Sequence, residues 1–288
     1  MKIEVCNITK KYKEHVVLNN LSFTIEEPSI IGFLGHNGAG KTTFLNILSG
    51  LIPATSGEIN INNQLVFNNS AVLQDICFIA ETDNFQLEMT VEQTLKANHY
   101  FYPNWDNQLA KQLICEFSLP LKGKIKNLSK GMVSALGIIV GLASQAKITI
   151  FDEPYIGLDV AARSKFYDLL LEQQDMNPRQ FILSTHLIDE VSSIFDKVII
   201  VQEGNLLLYK DFIDWDETII SVRGHKEAVD MVASKHTVLY EQLFMNEKMA
   251  VLYVTNSDAH FDTVKVERLS IQDLLVYLSK KNKGGIAI

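Results

Sequence analysis

The stretch GHNGAGKT, residues Gly35–Thr42, decides the fold of this chain. It follows SIIGFLG, residues 29–35, an apolar run that is typical of a buried strand. It precedes FLNILSGL, residues 44–51, whose apolar residues recur at helical spacing. A pattern GxxxxGK[ST] between a strand and a helix is typical of a phosphate-binding loop, and a glycine-rich turn with a solvated lysine is the alternative.

The residue types in this loop suit the chemistry of a nucleoside triphosphate. Glycines let backbone N–H groups turn toward phosphate oxygens, and the start of the following helix adds its dipole. We expect the side chain of Lys41 to reach the β- and γ-phosphates and the hydroxyl of Thr42 to bind Mg²⁺. The residues predicted to contact the nucleotide here are Gly35, His36, Asn37, Gly38, Ala39, Gly40, Lys41, Thr42 and Thr43.

Two adjacent carboxylates end a second apolar run, ITIFDEP, residues 148–154. The carboxyl ends of strands in α/β sheets are where ligands bind, so Asp152 is predicted to hold Mg²⁺ and Glu153 to orient the attacking water. An acidic turn at a strand end is the alternative.

Composition limits the possible functions. The chain has 288 residues, is 47% hydrophobic and carries a formal net charge of -8, which disfavours a nucleic-acid-binding surface. Its 3 cysteines form no CxxC pair, and the first residues lack a secretory signal. The longest apolar run, ALGIIVGLA at residues 135–143, is too short to cross a bilayer. We therefore expect an intracellular protein without a membrane span of its own.

The order of elements along the chain predicts an α/β fold. Strands alternate with helices between residues 1 and 204, which favours a mostly parallel sheet with an antiparallel β part and with an inserted helical lobe at about 85–130. In this lobe Thr90 and Gln93 have the spacing of a capping box, and after it Ser129 is the expected N-cap of a helix. Residues 205–288 predict a small α+β appendix that ends in a mobile tail.

These segments, taken in order, resemble the ATP-binding subunit of an ABC transporter. The resemblance covers residues 1 to about 204, and the segments that carry it are Tyr12, GHNGAGKTT, ICFIAET, LSKGM, ITIFDEP, IGLD and LSTH. It implies a P-loop NTPase cassette that binds ATP and Mg²⁺ and hydrolyses ATP. It also implies that two cassettes face each other, so that the LSKGM segment of one completes the ATP site of the other.

The resemblance gives roles to residues that spacing alone leaves open. Tyr12 is implied to stack on adenine, with a surface tyrosine as the alternative, and His186 to sense the γ-phosphate, with a structural histidine as the alternative. Glu81 is implied to bind nucleotide and Mg²⁺ at the Q-loop position, and Asp159 to lie in the D-loop. Lys41, Glu153 and His186 form the implied catalytic set.

The segment LSKGM is implied to act on a nucleotide held by another molecule. Ser129 and Gly131 are the implied contacts with that nucleotide, and Gly131 would let the backbone approach closely. Lys130 is either a solvated lysine or an additional cation near the phosphates of the opposite site.

Three positions depart from the common family pattern. Glu81 stands where glutamine is usual, and similar cassettes of peptide and antibiotic exporters also carry glutamate at this position. Tyr155 stands where a small hydroxyl residue is frequent. The segment MVSALG, residues 132–137, lacks the basic residues that commonly follow the signature.

The implied function is that of an energising subunit. The chain would dimerise on MgATP with a second cassette, as a homo- or heterodimer, and drive a separate transmembrane permease that exports a peptide or small molecule. It would thus lie in the cytoplasm, peripheral on the inner face of the cell membrane. Within the family it is most similar to cassettes of acetoin-utilisation and phenol-soluble-modulin export systems. The alternatives are a soluble ABC ATPase that acts on nucleic acid or ribosomes, and a non-hydrolysing clamp or immunity module.

Overall fold

The computed structural model describes residues 1–254, 261 and 263–281, with the backbone alone at residues 216, 217, 280 and 281. The predicted mobile tail begins near the end of this part, and its residues 282–288 lie outside the described residues.

The chain divides into two compact units. The first is Met1–His186 with Ile194–Tyr209, and the second is Leu187–Ser193 with the described residues from Lys210 onward. The division of the chain into a cassette domain, residues 1–204, and a small accessory domain, residues 205–288, stays a prediction.

Two sheets and six helices build the first unit. Its strands are β1 (Ile3–Tyr12), β2 (His15–Ile25), β3 (Ile30–Leu34), β4 (Ser56–Ile61), β5 (Gln64–Leu65), β6 (Ile76–Ile79), β7 (Ile148–Asp152), β8 (Gln180–Ser184), β9 (Lys197–Gln202) and β10 (Asn205–Asp211). Its helices are α1 (Lys41–Leu48), α2 (Ser70–Leu73), α3 (Val91–Phe101), α4 (Asn107–Glu116), α5 (Lys130–Ala143) and α6 (Val160–Met176).

The larger sheet has the order β10-β9-β3-β8-β7-β6, and the strands from β9 to β6 run parallel. Every residue of β3, β7 and β8 is buried, because helices cover parallel sheets on both faces. In the register of these strands Phe33 pairs with Ser184, and Ser184 pairs with Asp152. The three strands therefore end level with one another, which places the segments that follow them at one edge.

The smaller sheet, of order β2-β1-β4-β5, is antiparallel. Its alternate apolar residues form one core cluster with α1 and with β3, β7, β8 and β9. In the short connection between β4 and β5, Asn62 and Asn63 adopt φ values of 49° and 64°. This sheet is the antiparallel part that the sequence predicts.

The helices α3 and α4 lie within the predicted helical lobe. Thr90 caps α3, and the predicted capping box with Gln93 is present in both directions, at 3.2 Å and 2.9 Å. Ser129 caps α5 as predicted, since its Oγ accepts a hydrogen bond from the N–H of Met132 at 3.2 Å.

The second unit is a small α+β structure. Its elements are α7 (Ile188–Val191), α8 (Trp215–Thr218), β11 (Ile219–His225), α9 (Lys226–Ala233), β12 (Thr237–Phe244), β13 (Glu247–Tyr253), β14 (Lys265–Arg268) and α10 (Ile271–Lys281). The sheet is antiparallel with the order β12-β13-β11-β14, and Val229 and Val232 of α9 pack into its core. The helix α10 is amphipathic and buries Ile271, Leu274 and Leu278 on one face.

The core of the first unit depends on an aromatic contact between sheet and helix. Phe166 of α6 is fully buried and meets Phe151 of β7 edge-on, with ring centroids 5.2 Å apart. We expect Phe166→Ala to lower the free energy of unfolding by about 3–5 kcal/mol, because it leaves a cavity in a packed core. Chemical denaturation of the full chain measures this loss. Leu171→Ala on the exposed side of the same helix is the control, with an expected loss well under half of that.

Candidate functional site

A cavity of about 560 Å³ lies in the first unit at the edge where β3, β7 and β8 end. The residues that line it are His15, Val17, Asn37, Gly38, Gly40, Lys41, Thr42, Thr43, Glu81, Asp152, Glu153, Ile156 and His186. Ten of the predicted site residues are among them, from four separate segments of the chain. The tertiary structure therefore brings together residues that the sequence could only place at strand ends.

The loop Gly35–Thr42 passes from β3 into α1 in the way that a phosphate-binding loop requires. Gly40, at φ 101°, precedes the first residue of α1, and a Cβ atom there would lie 2.6 Å from the side chain of Leu18 and 2.9 Å from the carbonyl of Val17. Only glycine combines this φ with this approach of β2. The loop therefore contacts β2 of the antiparallel sheet, and α1 begins beside the cavity.

Lys41 is buried, and its ammonium group donates to the carbonyl oxygens of Gly35 at 2.8 Å and His36 at 3.4 Å. Burial lowers the pKa of Lys41, and the carboxylates of Glu153 and Asp152 oppose that shift. The cavity thus holds a partly desolvated cation that an anionic ligand would stabilise.

Thr42 and Asp152 meet across the cavity, since the Thr42 hydroxyl donates to Oδ2 of Asp152 at 2.8 Å. Asp152 is buried at the end of β7, so its position is set by the sheet. One hydroxyl and one carboxylate beside a phosphate-binding loop suit Mg²⁺, which keeps several waters and takes few protein ligands. Among the described residues no group of three or more His, Cys, Asp or Glu side chains could hold a metal ion.

Glu153 and His186 contact each other directly, with Oε2 of Glu153 at 2.8 Å from Nδ1 of His186. Glu153 has φ 51°, and its backbone N–H donates to the carbonyl of Ser184 at 3.0 Å. The ladder between β7 and β8 therefore continues one residue beyond the strand and turns the Glu153 side chain toward the cavity. The buried hydroxyl of Tyr155 also donates to Glu153 and lies 3.2 Å from Nδ1 of His186.

Glu81 lines this cavity and also a second one of about 350 Å³, which it shares with Lys130 and Leu128. Its carboxylate can accept hydrogen bonds or bind a cation but cannot donate to phosphate. Lys130 is exposed, as the solvated alternative requires, and lies outside the first cavity.

Several predicted residues do not line the cavity. Gly35, His36 and Ala39 belong to the loop but are not among the lining residues, and Tyr12 is exposed at the end of β1. Tyr12 pairs with His15, which does line the cavity, and Lys10 lies over its ring at 5.1 Å. Stacking of Tyr12 on adenine stays a prediction.

Ser129, Gly131 and Asp159 also lie outside this cavity. Asp159 caps α6, where its Oδ1 accepts from the N–H of Ala162 at 2.8 Å. At Gly131 a Cβ atom would lie 2.3 Å from the carbonyl oxygen of Gly157. The close backbone approach that requires glycine at this position is therefore made to Gly157 of the same chain. Their contact with a nucleotide of another molecule stays a prediction.

Sequence reasoning missed three lining residues, His15, Val17 and Ile156. Val17 offered a signal, since it alternates in β2 with Leu18, which is fully buried in the core. Ile156 offered none, because the turn after Glu153 determines where its side chain points.

Comparison with known proteins agrees with this geometry. The family profile described as ABC transporter matches residues 18–156. An uncharacterized ABC transporter ATP-binding protein of Methanocaldococcus jannaschii is 33% identical over 287 residues, which cover 96% of this chain and 98% of that protein.

This chain belongs to the ABC transporter ATP-binding proteins. The predicted family is therefore confirmed, and the chain is an ATP-binding ATPase of this family. The bacitracin transport ATP-binding protein BcrA of Bacillus licheniformis is 27% identical over 303 residues, which cover 98% of each chain. Special similarity to acetoin-utilisation or phenol-soluble-modulin cassettes stays a prediction.

Solved structures confirm the predicted fold. An ATP-binding subunit of an ABC transporter superposes with a TM-score of 0.68 at 24% identity, covering 75% of this chain and 92% of that one. An ATP-binding cassette solved as a dimer in a post-hydrolysis state with ADP and Pi gives a TM-score of 0.66 at 22% identity, covering 73% and 98%. In the described part of this chain, no helix is long and apolar enough to cross a membrane.

The contact between Gly131 and Gly157 generates a prediction about stability. We expect Gly131→Ala to lower the free energy of unfolding by about 1–3 kcal/mol, because the added methyl group meets a backbone carbonyl that cannot move aside cheaply. Denaturant titration of the full chain measures the change. Lys130→Ala, which alters the exposed neighbour and keeps its Cβ, is the control and should change stability by less than about 0.5 kcal/mol. Unchanged stability in Gly131→Ala would contradict this prediction, because it would show that the backbone segments at Gly131 and Gly157 move apart at little cost.

Proposed function

We propose that this chain is the ATP-hydrolysing subunit of an exporter, and that it works as a dimer on MgATP to drive separate membrane subunits. The observation that carries the proposal is the meeting of Lys41, Thr42, Asp152, Glu153 and His186 in one cavity. In the isolated chain these groups form a half-site that lacks any contribution from Ser129 and Gly131.

The proposed roles follow from the chemistry of each group. Lys41 binds the β- and γ-phosphates, and Thr42 and Asp152 would hold Mg²⁺, which would neutralise phosphate charge when bound. Glu153 accepts a hydrogen bond from the attacking water and polarises it toward phosphorus. His186 contacts the γ-phosphate through its imidazole ring, whose second nitrogen, Nε2, is left available while Nδ1 lies beside Glu153.

Dimer formation is proposed from the position of α5. Its N-terminus, capped by Ser129, lies outside the cavity of its own chain. A helix N-terminus attracts phosphate, so α5 of a second cassette can close the site from the opposite side. Asp159 would lie near that contact between cassettes. The dimer with ADP and Pi among the structural relatives supports this arrangement.

Export of a peptide or small molecule is proposed from the resemblance to the bacitracin transport protein, which extends over nearly the whole of both chains. A membrane subunit would then hold this chain at the inner face of the cell membrane. Recovery of a membrane polypeptide with the tagged full-length chain supports the proposal, whereas salt-sensitive recovery of RNA or DNA alone would favour the nucleic-acid alternative.

Removing the Lys41 ammonium tests whether the cavity is the ATP site. We expect Lys41→Ala to reduce ATP hydrolysis roughly 100-fold, because it removes a preorganised cation and leaves the phosphates facing two carboxylates. Phosphate release by the full chain and binding of a fluorescent ATP analogue measure the effect. Lys122→Ala on the surface is the control. Wild-type hydrolysis by the Lys41 variant would contradict the proposed site.

Replacing Glu153 separates binding from hydrolysis. We expect Glu153→Gln to keep ATP affinity and to lower kcat by roughly 100-fold or more, because an amide cannot act as a base. With hydrolysis blocked, the ATP-bound form should elute as a dimer in size-exclusion chromatography. Glu172→Gln, at an exposed position on α6, is the control. Wild-type ATP hydrolysis by Glu153→Gln would contradict the proposed role of Glu153. If the protein is instead a non-hydrolysing clamp, the unmutated chain itself would show no turnover.

A further inference from the structure

Tyr155 is a buried tyrosine directly behind the two residues that the proposed function assigns to the γ-phosphate. It is 4% exposed and does not line the cavity. Its hydroxyl oxygen accepts hydrogen bonds from the Thr185 hydroxyl at 2.8 Å and from the backbone N–H of His186 at 3.0 Å. The same hydroxyl donates to Oε2 of Glu153.

The hydrogen-bonding capacity of a phenol fixes the direction of this network. A tyrosine hydroxyl has one proton to donate and can accept about two hydrogen bonds. Thr185 and the backbone of His186 supply the two accepted bonds, which leaves Oε2 of Glu153 and Nδ1 of His186 as neighbours for the Tyr155 proton. Nδ1 lies 3.2 Å away, whereas the carboxylate is closer and can only accept, so the proton is directed to Glu153.

Protonation of Tyr155 is favoured by its surroundings. Burial, and then the adjacent Glu153 carboxylate, raise the pKa of Tyr155 above its usual range. The hydroxyl thus remains a donor toward Glu153. Its ring also meets the His186 imidazole edge-on, with centroids 5.6 Å apart, which restricts the rotation of both rings.

We propose that Tyr155 is a positioning residue that couples Glu153 to the backbone at His186. A single hydroxyl joins the carboxylate after β7 to the segment after β8, so the two groups keep a fixed separation. A small hydroxyl residue at position 155 could not span this distance. The inference deepens the proposed function, since it takes Glu153 as the group that orients the attacking water.

The geometry predicts an effect on turnover without an effect on ATP binding. Glu153 has three rotatable side-chain bonds, and without the Tyr155 hydroxyl only the His186 ring restrains it in this network. Tyr155 does not contact the loop residues that bind phosphate, so nucleotide affinity should not depend on it.

Tyr155→Phe removes the hydroxyl and keeps the ring. We expect kcat to fall at least ten-fold, which corresponds to about 1.4 kcal/mol, with KM and the affinity for a fluorescent ATP analogue changed less than two-fold. The control is Tyr167→Phe, which removes the hydroxyl of a buried tyrosine on α6 outside the cavity and should leave kcat unchanged. Thermal unfolding of both variants shows that each folds.

A double variant separates the inference from the proposed function. If Tyr155 acts through Glu153, then Glu153→Gln with Tyr155→Phe should be no slower than Glu153→Gln alone. Wild-type kcat in Tyr155→Phe, while Glu153→Gln is inactive, would overturn the positioning role and leave the proposed function standing. A faster Tyr155→Phe would also overturn it, because the hydroxyl would then restrain Glu153 in an unproductive position. A wild-type rate in Glu153→Gln would instead refute the proposed role of Glu153.

Discussion

The register between three parallel strands is the constraint on which the rest of this structure depends. Phe33, Ser184 and Asp152 pair across β3, β8 and β7, so the three strands end at one level. The phosphate-binding loop starts two residues after Phe33, and Glu153 directly follows Asp152. A slip of one residue in a strand would turn its side chains to the other face of the sheet. The complete burial of these strands therefore protects the geometry of the site.

Behind this edge, the site depends on a buried polar network. A buried hydroxyl is costly unless its hydrogen bonds are made, and a partly satisfied network is worse than an apolar one. Tyr155 meets this condition because it donates to Glu153 and accepts from Thr185 and the backbone of His186. The same bonds that make its burial tolerable also fix the carboxylate. Stability and positioning thus have one physical cause at this residue.

The segment LSKGM shows how a structural requirement and a functional one can fall on the same residue. Gly131 must be glycine because the carbonyl of Gly157 lies where a Cβ would be. This contact connects the start of α5 to the turn that follows Glu153, since the hydroxyl of Ser134 also donates to the carbonyl of Ile156 at 2.6 Å. The proposed contact surface for a second cassette is therefore connected to the turn that follows Glu153 through one close backbone approach and one hydrogen bond.

The sequence by itself determined those features that local rules encode. The glycine pattern and its strand-helix context predicted the phosphate-binding loop, and the Thr90 and Ser129 caps were read correctly from short-range spacing. The run of motifs identified the family, because their order is specific even where each motif is short. Only the tertiary structure decided which strand ends meet, that His15 and Val17 line the cavity, and that Tyr155 holds Glu153. Such contacts join residues far apart in the chain, and they depend on sheet register and turn geometry, which no short stretch of sequence contains.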